Sequence, residues 1–212
     1  MNPVLELLKF KDQPFGTQVL LGILRGYSRP YDKINDLVQQ GYLSQLRKGL
    51  YMTSRKVSST FPEPFLIANQ LYGPSYVSID SALSYWGFIP ERVFETTSVT
   101  VRLSKSFSIE VGTFSFSHLP KSYYPLGIQS VALTETQRVL IASPEKSLCD
   151  KIVTTAGINL RSKKQAQSYL LDDLRIDQEK LGELNIEEMS NWLSVAPKAN
   201  SLKILIEAIS EL

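Results

Sequence analysis

Cysteine and histidine are almost missing from this chain, which has one of each, Cys149 and His118. A lone cysteine makes no internal disulfide, and the two residues together offer too few soft ligands for a dedicated zinc site. Long apolar runs are missing too: no stretch approaches the roughly 18 uncharged residues of a membrane span. The opening MNPVLELLKFKDQ lacks both the apolar core and the small-residue cleavage site of a signal peptide. These absences predict a cytoplasmic protein with no membrane partner. Neither G-x-x-x-x-G-K nor G-x-G-x-x-G occurs, so no glycine-rich phosphate loop is available, and no fixed-period repeat or low-complexity tract is seen. What is present is ordinary for a globular chain: 212 residues, 43% hydrophobic, 21% charged, net charge +2. Disorder, collagen and fibrous classes are excluded, and there is room for one core or two small ones.

The small net charge hides a gradient. Residues 1–64 carry 9 Lys/Arg against 5 Asp/Glu, residues 65–164 carry 10 against 7, and residues 165–212 carry 4 against 9. A basic head joined to an acidic tail is the usual footprint of a nucleic-acid-binding element coupled to something with a different partner. The polar stretch KVSSTFPEP, Lys56 to Pro64, has two prolines and no periodicity. It reads as a linker between a first unit, residues 1–58, and a second, residues 65–212.

In the first unit Val19, Leu20, Ile23 and Leu24 share a helical face, and the run breaks at Gly26. Pro30 suits a helical first turn, Ile34, Leu37 and Val38 form an i, i+3, i+4 stripe, and Gly41 supplies the left-handed residue that ends a helix. YLSQLRKGLYM then predicts two short strands about a Lys48-Gly49 turn. Helix, tight turn, helix and basic hairpin is the layout of a winged helix-turn-helix, whose second helix lies in the major groove while the wing touches flanking backbone. On that layout Asn35 and Gln39 are placed to pair with adenine edges, and Arg29 and Lys33 to meet phosphate or guanine at the helix start. Arg47 and Lys48 at the hairpin tip, with Arg55 and Lys56 beyond it, are charges for backbone phosphates. Asp32 and Asp36 on the same helix oppose that reading, and winged helices also serve as protein-binding modules. Seven basic residues against two acids between Arg25 and Lys56 favour DNA.

In the second unit PFLIANQLYG predicts a helix closed by Gly73. Ser78 caps another helix with Ile79, Ala82, Leu83 and Trp86 on its apolar face, stopped at Gly87. SVTVRL, FSIEV, TFSFSHL and IQSVAL predict three or four strands, largely antiparallel. Val139 to Ala142 suits a buried strand, and Ser143-Pro144-Glu145 starts a helix reaching about Thr155. From about residue 160 the pattern is helical, with stripes at Ala166, Tyr169, Leu170 and Leu174, at Met189, Trp192 and Leu193, and at Leu202, Leu205, Ile206 and Ile209. The fold class expected is α+β: a winged helix-turn-helix followed by a mixed α/β domain with a helical C-terminal subdomain.

Catalytic readings find little support. Cys149 lies beside Leu148, well past its helix start, and reads as a buried small hydrophobe rather than a low-pKa nucleophile. His118 reads as a loop or surface residue. Glu95 and Glu110 lack the Glu-x-Lys partner of a metal-dependent nuclease, and the adjacent pairs Asp172-Asp173 and Glu187-Glu188 point apart on helices. The expectation is a non-enzyme without cofactor.

YLSQLRKGLYM, PSYVSIDSALSYWGFIPE, IASPEKSLCDKI and YLLDDLRID, in that order, resemble the AbiEi-type antitoxins of bacterial type IV toxin-antitoxin systems over most of the chain. The resemblance implies an N-terminal winged helix-turn-helix repressing its own promoter at inverted repeats. It also implies a C-terminal antitoxin domain that counters an AbiEii-like nucleotidyltransferase toxin, directly or indirectly. It places the expected DNA contacts on Arg29, Lys33, Arg47 and Lys48; this hairpin carries only the pair Arg47-Lys48 where relatives are often more basic. A stand-alone winged-helix regulator, or an interaction or catalytic protein whose winged helix is scaffolding, is the alternative.

Overall fold

The computed structural model describes residues 2–91 and 93–212 and has an α+β architecture with two sheets. The chain opens with α1 (Pro3–Leu7), capped by the Asn2 side chain, and a 3-10 turn at Leu8–Phe10, then runs through β1 (Phe15–Gly16) into α2 (Thr17–Ile23). After a turn comes α3 (Pro30–Gln39), with proline at its first position and Gly41 at φ +71 just beyond its end. β2 (Leu43–Arg47) and β3 (Leu50–Thr53) form an antiparallel hairpin, and β1 adds to β3. Gly49 takes φ +82 in the turn, a region where a side chain is strained.

Leu7, Phe15, Leu20, Leu24, Ile34, Leu37, Leu43 and Tyr51 form a buried cluster beneath these elements. The hairpin does not belong to that cluster alone. Leu46, Leu50 and Met52 are buried in the larger core built by the rest of the chain. Alternation along a strand explains this double duty, because successive side chains face opposite sides of the small sheet.

The second part contains α4 (Pro64–Leu71), β4 (Ser75–Val77), α5 (Ile79–Tyr85), β5 (Glu95–Thr100), β6 (Lys105–Ile109), β7 (Gly112–His118), β8 (Ile128–Ala132), β9 (Arg138–Ala142) and α6 (Pro144–Thr154). Its six strands lie in the order β6-β7-β5-β4-β9-β8. The sheet is mixed: β4–β5, β6–β7 and β8–β9 pair antiparallel, in line with the largely antiparallel expectation, while β4 pairs with β9 and β5 with β7 in parallel, which was not expected. β6 does not enter between β5 and β7 but returns outside β7, and β4 sits in the centre where no strand was expected. Arg102 and Leu103, read above as the end of a strand, lie beyond β5.

β4 turns sharply into α5 through Ser78 and Ile79. Ile79 has φ +58, a conformation costing a β-branched residue about 1–3 kcal/mol, and Thr97 holds the turn by accepting from Ser81 N and donating to Ser78 O. The helical tail comprises α7 (Lys163–Ser168), a π turn at Tyr169–Asp173, α8 (Gln178–Gly182), α9 (Ile186–Asn191) and α10 (Ala199–Ile209). Lys198 anchors it: its Nζ donates to the carbonyls of Ile152, Thr155 and Ile158 at 2.8, 2.8 and 3.0 Å, satisfying acceptors at and beyond the end of α6. Among the described residues, no helix is long and apolar enough to cross a membrane.

Candidate nucleic-acid interface

α3 buries Ile34 and Leu37 and leaves Asn35, Asp36, Gln39 and Gln40 exposed, so the two amides stand one turn apart on the outer face. Arg29 and Lys33 lie at the start of the helix. The Arg29 guanidinium is 3.9 Å from Asp32, and with both side chains largely exposed the pairing is weak. Lys33 Nζ lies 6.0 Å from the centre of the Tyr27 ring. Tyr27 and Tyr31 are both exposed, Tyr31 by 62%, and the sequence reading passed over them. Their signal was available: two tyrosines interleaved with Arg25, Arg29 and Lys33. A tyrosine hydroxyl is a common phosphate donor.

The hairpin cations are not gathered around α3. Arg47 Nε donates to Leu71 O at 2.8 Å, at the end of α4, and its Nη1 reaches Lys48 O at 3.3 Å. Lys48 is exposed at the turn. Lys56 does join α3: its Nζ donates to Gln40 O at 2.9 Å and lies 4.5 Å from the Tyr42 ring, where a cation suits the negative end of the helix. The Arg55 guanidinium stacks 4.4 Å from the Phe61 ring. The structure thus brings Arg29, Lys33, Asn35, Gln39 and Lys56 onto one helix and its two ends, ties Arg47 to the end of α4, and leaves Lys48 exposed at the hairpin turn.

A second constellation was missed in the sequence. Lys146 and Asp150, one turn apart on α6, are both fully buried, with Nζ and Oδ1 2.8 Å apart in a charge-to-charge contact off the line of a good hydrogen bond. Asp150 Oδ2 accepts from the hydroxyls of Tyr76 at 3.0 Å and Ser78 at 2.8 Å. Lys146 Nζ donates to Tyr123 O at 3.2 Å and sits 3.2 Å from that residue's ring centre. Burial draws the lysine down from its ordinary pKa and pushes the aspartate up, while their mutual attraction opposes both shifts. Tyr76 is pushed far up by burial and by the Asp150 charge. The cluster ties β4, the loop before β8, and α6 together, and its zero exposure closes it to a substrate.

Cys149 is also wholly buried, and burial pushes its thiol up to about 12, which keeps it protonated. His118 is exposed at the end of β7, with Nδ1 3.0 Å from Arg102 O. Among the described residues no group of three or more His, Cys, Asp or Glu is placed to hold a metal ion.

No family model matches the chain, and no curated protein matches it. Among solved structures, the RV2827C protein from Mycobacterium tuberculosis is similar in fold, with a TM-score of 0.61 and 16% identity. The match covers 97% of this chain and 75% of that one. At that identity the likeness is one of fold alone.

Proposed function

We propose that the chain is a DNA-binding repressor and antitoxin of the AbiEi type, with residues 1–58 working as a winged helix-turn-helix. The single observation that carries this reading is α3: a helix held from beneath by Ile34 and Leu37 that presents Asn35 and Gln39 outward with Arg29 and Lys33 at its positive end. Amide side chains and helix-start cations are what base edges and phosphates require, whereas a purely structural helix needs neither. β2 and β3 supply a short wing, and Lys56 at the far end of α3 adds a cation where the helix would leave the groove. One such unit reads one half-site, so two copies on an inverted repeat are expected.

The antitoxin role rests on the resemblance of four ordered segments. Two of them, Pro74 to Glu91 and Ile141 to Ile152, meet at the Ser78–Asp150 hydrogen bond. The partner would be a nucleotidyltransferase toxin encoded beside this gene, and both functions belong to the cytoplasm, with no catalytic step assigned to this chain. Two experiments test the reading. In mobility shifts on DNA upstream of the gene, Asn35→Ala or Gln39→Ala should relax base preference by about 1–3 kcal/mol for each lost bidentate contact. Retained preference in both variants removes α3 from the reading role. Co-expression of the full chain with the adjacent toxin should restore growth, and persistent growth arrest with folded antitoxin present rejects the antitoxin assignment.

A further inference from the structure

The winged unit, the stretch that follows it and the second part of the chain meet around a cavity of about 410 Å³, within the size range of small-molecule sites. Its lining is apolar in the middle: Met52 from β3 and Ile67 from α4 are buried, and Phe61 and Val111 add apolar walls. Charged groups reach it from two places. Arg55 and Lys56 come from the end of the winged unit. The Arg55 guanidinium lies 4.4 Å from the centre of the Phe61 ring and makes no hydrogen bond among the described residues, and Lys56 Nζ is held 2.9 Å from Gln40 O. Glu110, in the turn between β6 and β7, accepts from the Ser44 hydroxyl at 3.3 Å. Among the described residues, no ion pair joins either cation to Glu110 or to any other carboxylate. The wall made by the connecting stretch is stiff. Gln137, only 3% exposed, accepts from Glu63 N at 2.7 Å and donates to Phe61 O at 3.2 Å, while Pro62 and Pro64 restrict the backbone on both sides of Glu63. Lys56 to Pro64 is therefore one side of a preformed cavity rather than a loose tether.

We propose that this cavity binds a small aromatic carboxylate carrying a hydrogen-bond donor at its far end, and that the ligand competes with DNA phosphate for Arg55 and Lys56. A carboxylate is what two unpaired cations require, Arg55 offering a planar fork and Lys56 a point charge. Met52, Ile67, Phe61 and Val111 give the ring an apolar bed. A donor directed at Glu110 completes the fit, and the same glutamate repels a second negative group, so dianions are rejected. Because the ligand touches the winged unit and the second part of the chain together, its occupancy is linked to duplex binding, each weakening the other by the same factor. The competition half of the inference rests on the DNA-binding reading, in which both cations meet backbone phosphate; the binding half does not.

The test is calorimetric titration of the full chain with para-hydroxybenzoate, benzoate and the uncharged para-hydroxybenzamide. The hydroxybenzoate should bind, about fivefold more tightly than benzoate, and the amide at least about tenfold more weakly. Arg55→Gln, whose guanidinium has only a ring contact to lose, should weaken the hydroxybenzoate at least about tenfold with an unchanged thermal midpoint. Glu110→Ala should abolish the preference over benzoate. In fluorescence anisotropy on a labelled duplex from upstream of the gene, saturating hydroxybenzoate should weaken wild-type binding about fivefold or more, the lower end of coupling between two sites. Absence of binding by both carboxylates at millimolar concentration, or affinities that neither substitution changes, overturns the site. Binding that depends on Arg55 but leaves duplex affinity unaltered overturns the competition. A wild type that takes the hydroxybenzoate yet ignores the duplex even in dilute salt sinks the DNA-binding reading and the competition with it, and leaves the binding site standing.

Discussion

Replacing Asp150 with alanine would leave the Lys146 ammonium without its counter-ion in a site with no solvent exposure. The aspartate supplies one oxygen at 2.8 Å to the lysine and the other to the hydroxyls of Tyr76 and Ser78. Breaking a buried pair from one side costs about 3–5 kcal/mol. Each orphaned hydroxyl could add about 1–3 kcal/mol, but these terms overlap because the same atoms relax together. Two features hold the total near the lower sum: Lys146 keeps the Tyr123 carbonyl and ring, and burial already favours its neutral form. The expected loss is about 3–5 kcal/mol, which for a chain of this size lowers the thermal midpoint by roughly 6–20 °C. Lys146→Met should cost less, about 1–3 kcal/mol, since Asp150 retains two donors and can take a proton. The double variant Lys146→Met/Asp150→Leu should lose less than the sum of the two single changes. Urea unfolding followed by tryptophan fluorescence measures all of these. An Asp150→Ala variant within about 1 kcal/mol of wild type, or strict additivity in the double variant, would refute this account of the core.

The same cluster sets the response to alkali. Tyr76 and Tyr123 have phenol pKa values raised by burial, so their contribution is fully present below pH of about 10 and is lost as pH rises beyond it, at about 2.7 kcal/mol per pH unit for the pair. Cys149, held at about 12, adds a similar decline per group from about pH 8.5. Urea midpoints that stay level from pH 8 to 11 would contradict both. Gly127 closes over Lys146: a Cβ there would stand 2.7 Å from Lys146 Cβ and 2.9 Å from Trp192 Cη2, at φ +62. Gly127→Ala should therefore destabilise by about 2–5 kcal/mol from overpacking and left-handed strain. Gly22→Ala, with open space around an exposed position in α2, should stabilise by about 0.5–1 kcal/mol, and calorimetry finding the two equal would overturn the packing described here.

Local chemistry was legible wherever it was carried by residues adjacent in sequence. Pro30 and Gly41 bracket α3, Lys48-Gly49 makes the hairpin turn, and Ser143-Pro144 starts α6, where the Ser143 side chain accepts from Lys146 N. Strand order was not legible. Three residues of β4 between Pro74 and Ser78 are too few to show a period, and whether β6 lies inside or outside β7 is decided by packing across the sheet. Lys146 and Asp150 were invisible for a different reason: an i, i+4 lysine-aspartate pair ordinarily marks a solvated helix face. Only the neighbours brought by β4 and the Tyr123 loop turn that face inward. Of the candidate interface, the α3 residues could be read from helical periodicity. The diversion of Arg47 to Leu71 could not, because its partner is 24 residues away on another element.

Everything proposed for α3 comes down to whether it reads a duplex, and a competition titration measures that directly. Purified full-length chain is bound to a labelled duplex from upstream of its gene at physiological salt, then challenged with the same duplex and with a scrambled one of equal length. The account predicts that the native sequence competes at least about a thousandfold better than the scrambled one, the lower end of specific recognition. Equal competition by both, or no complex even in dilute salt, would contradict it.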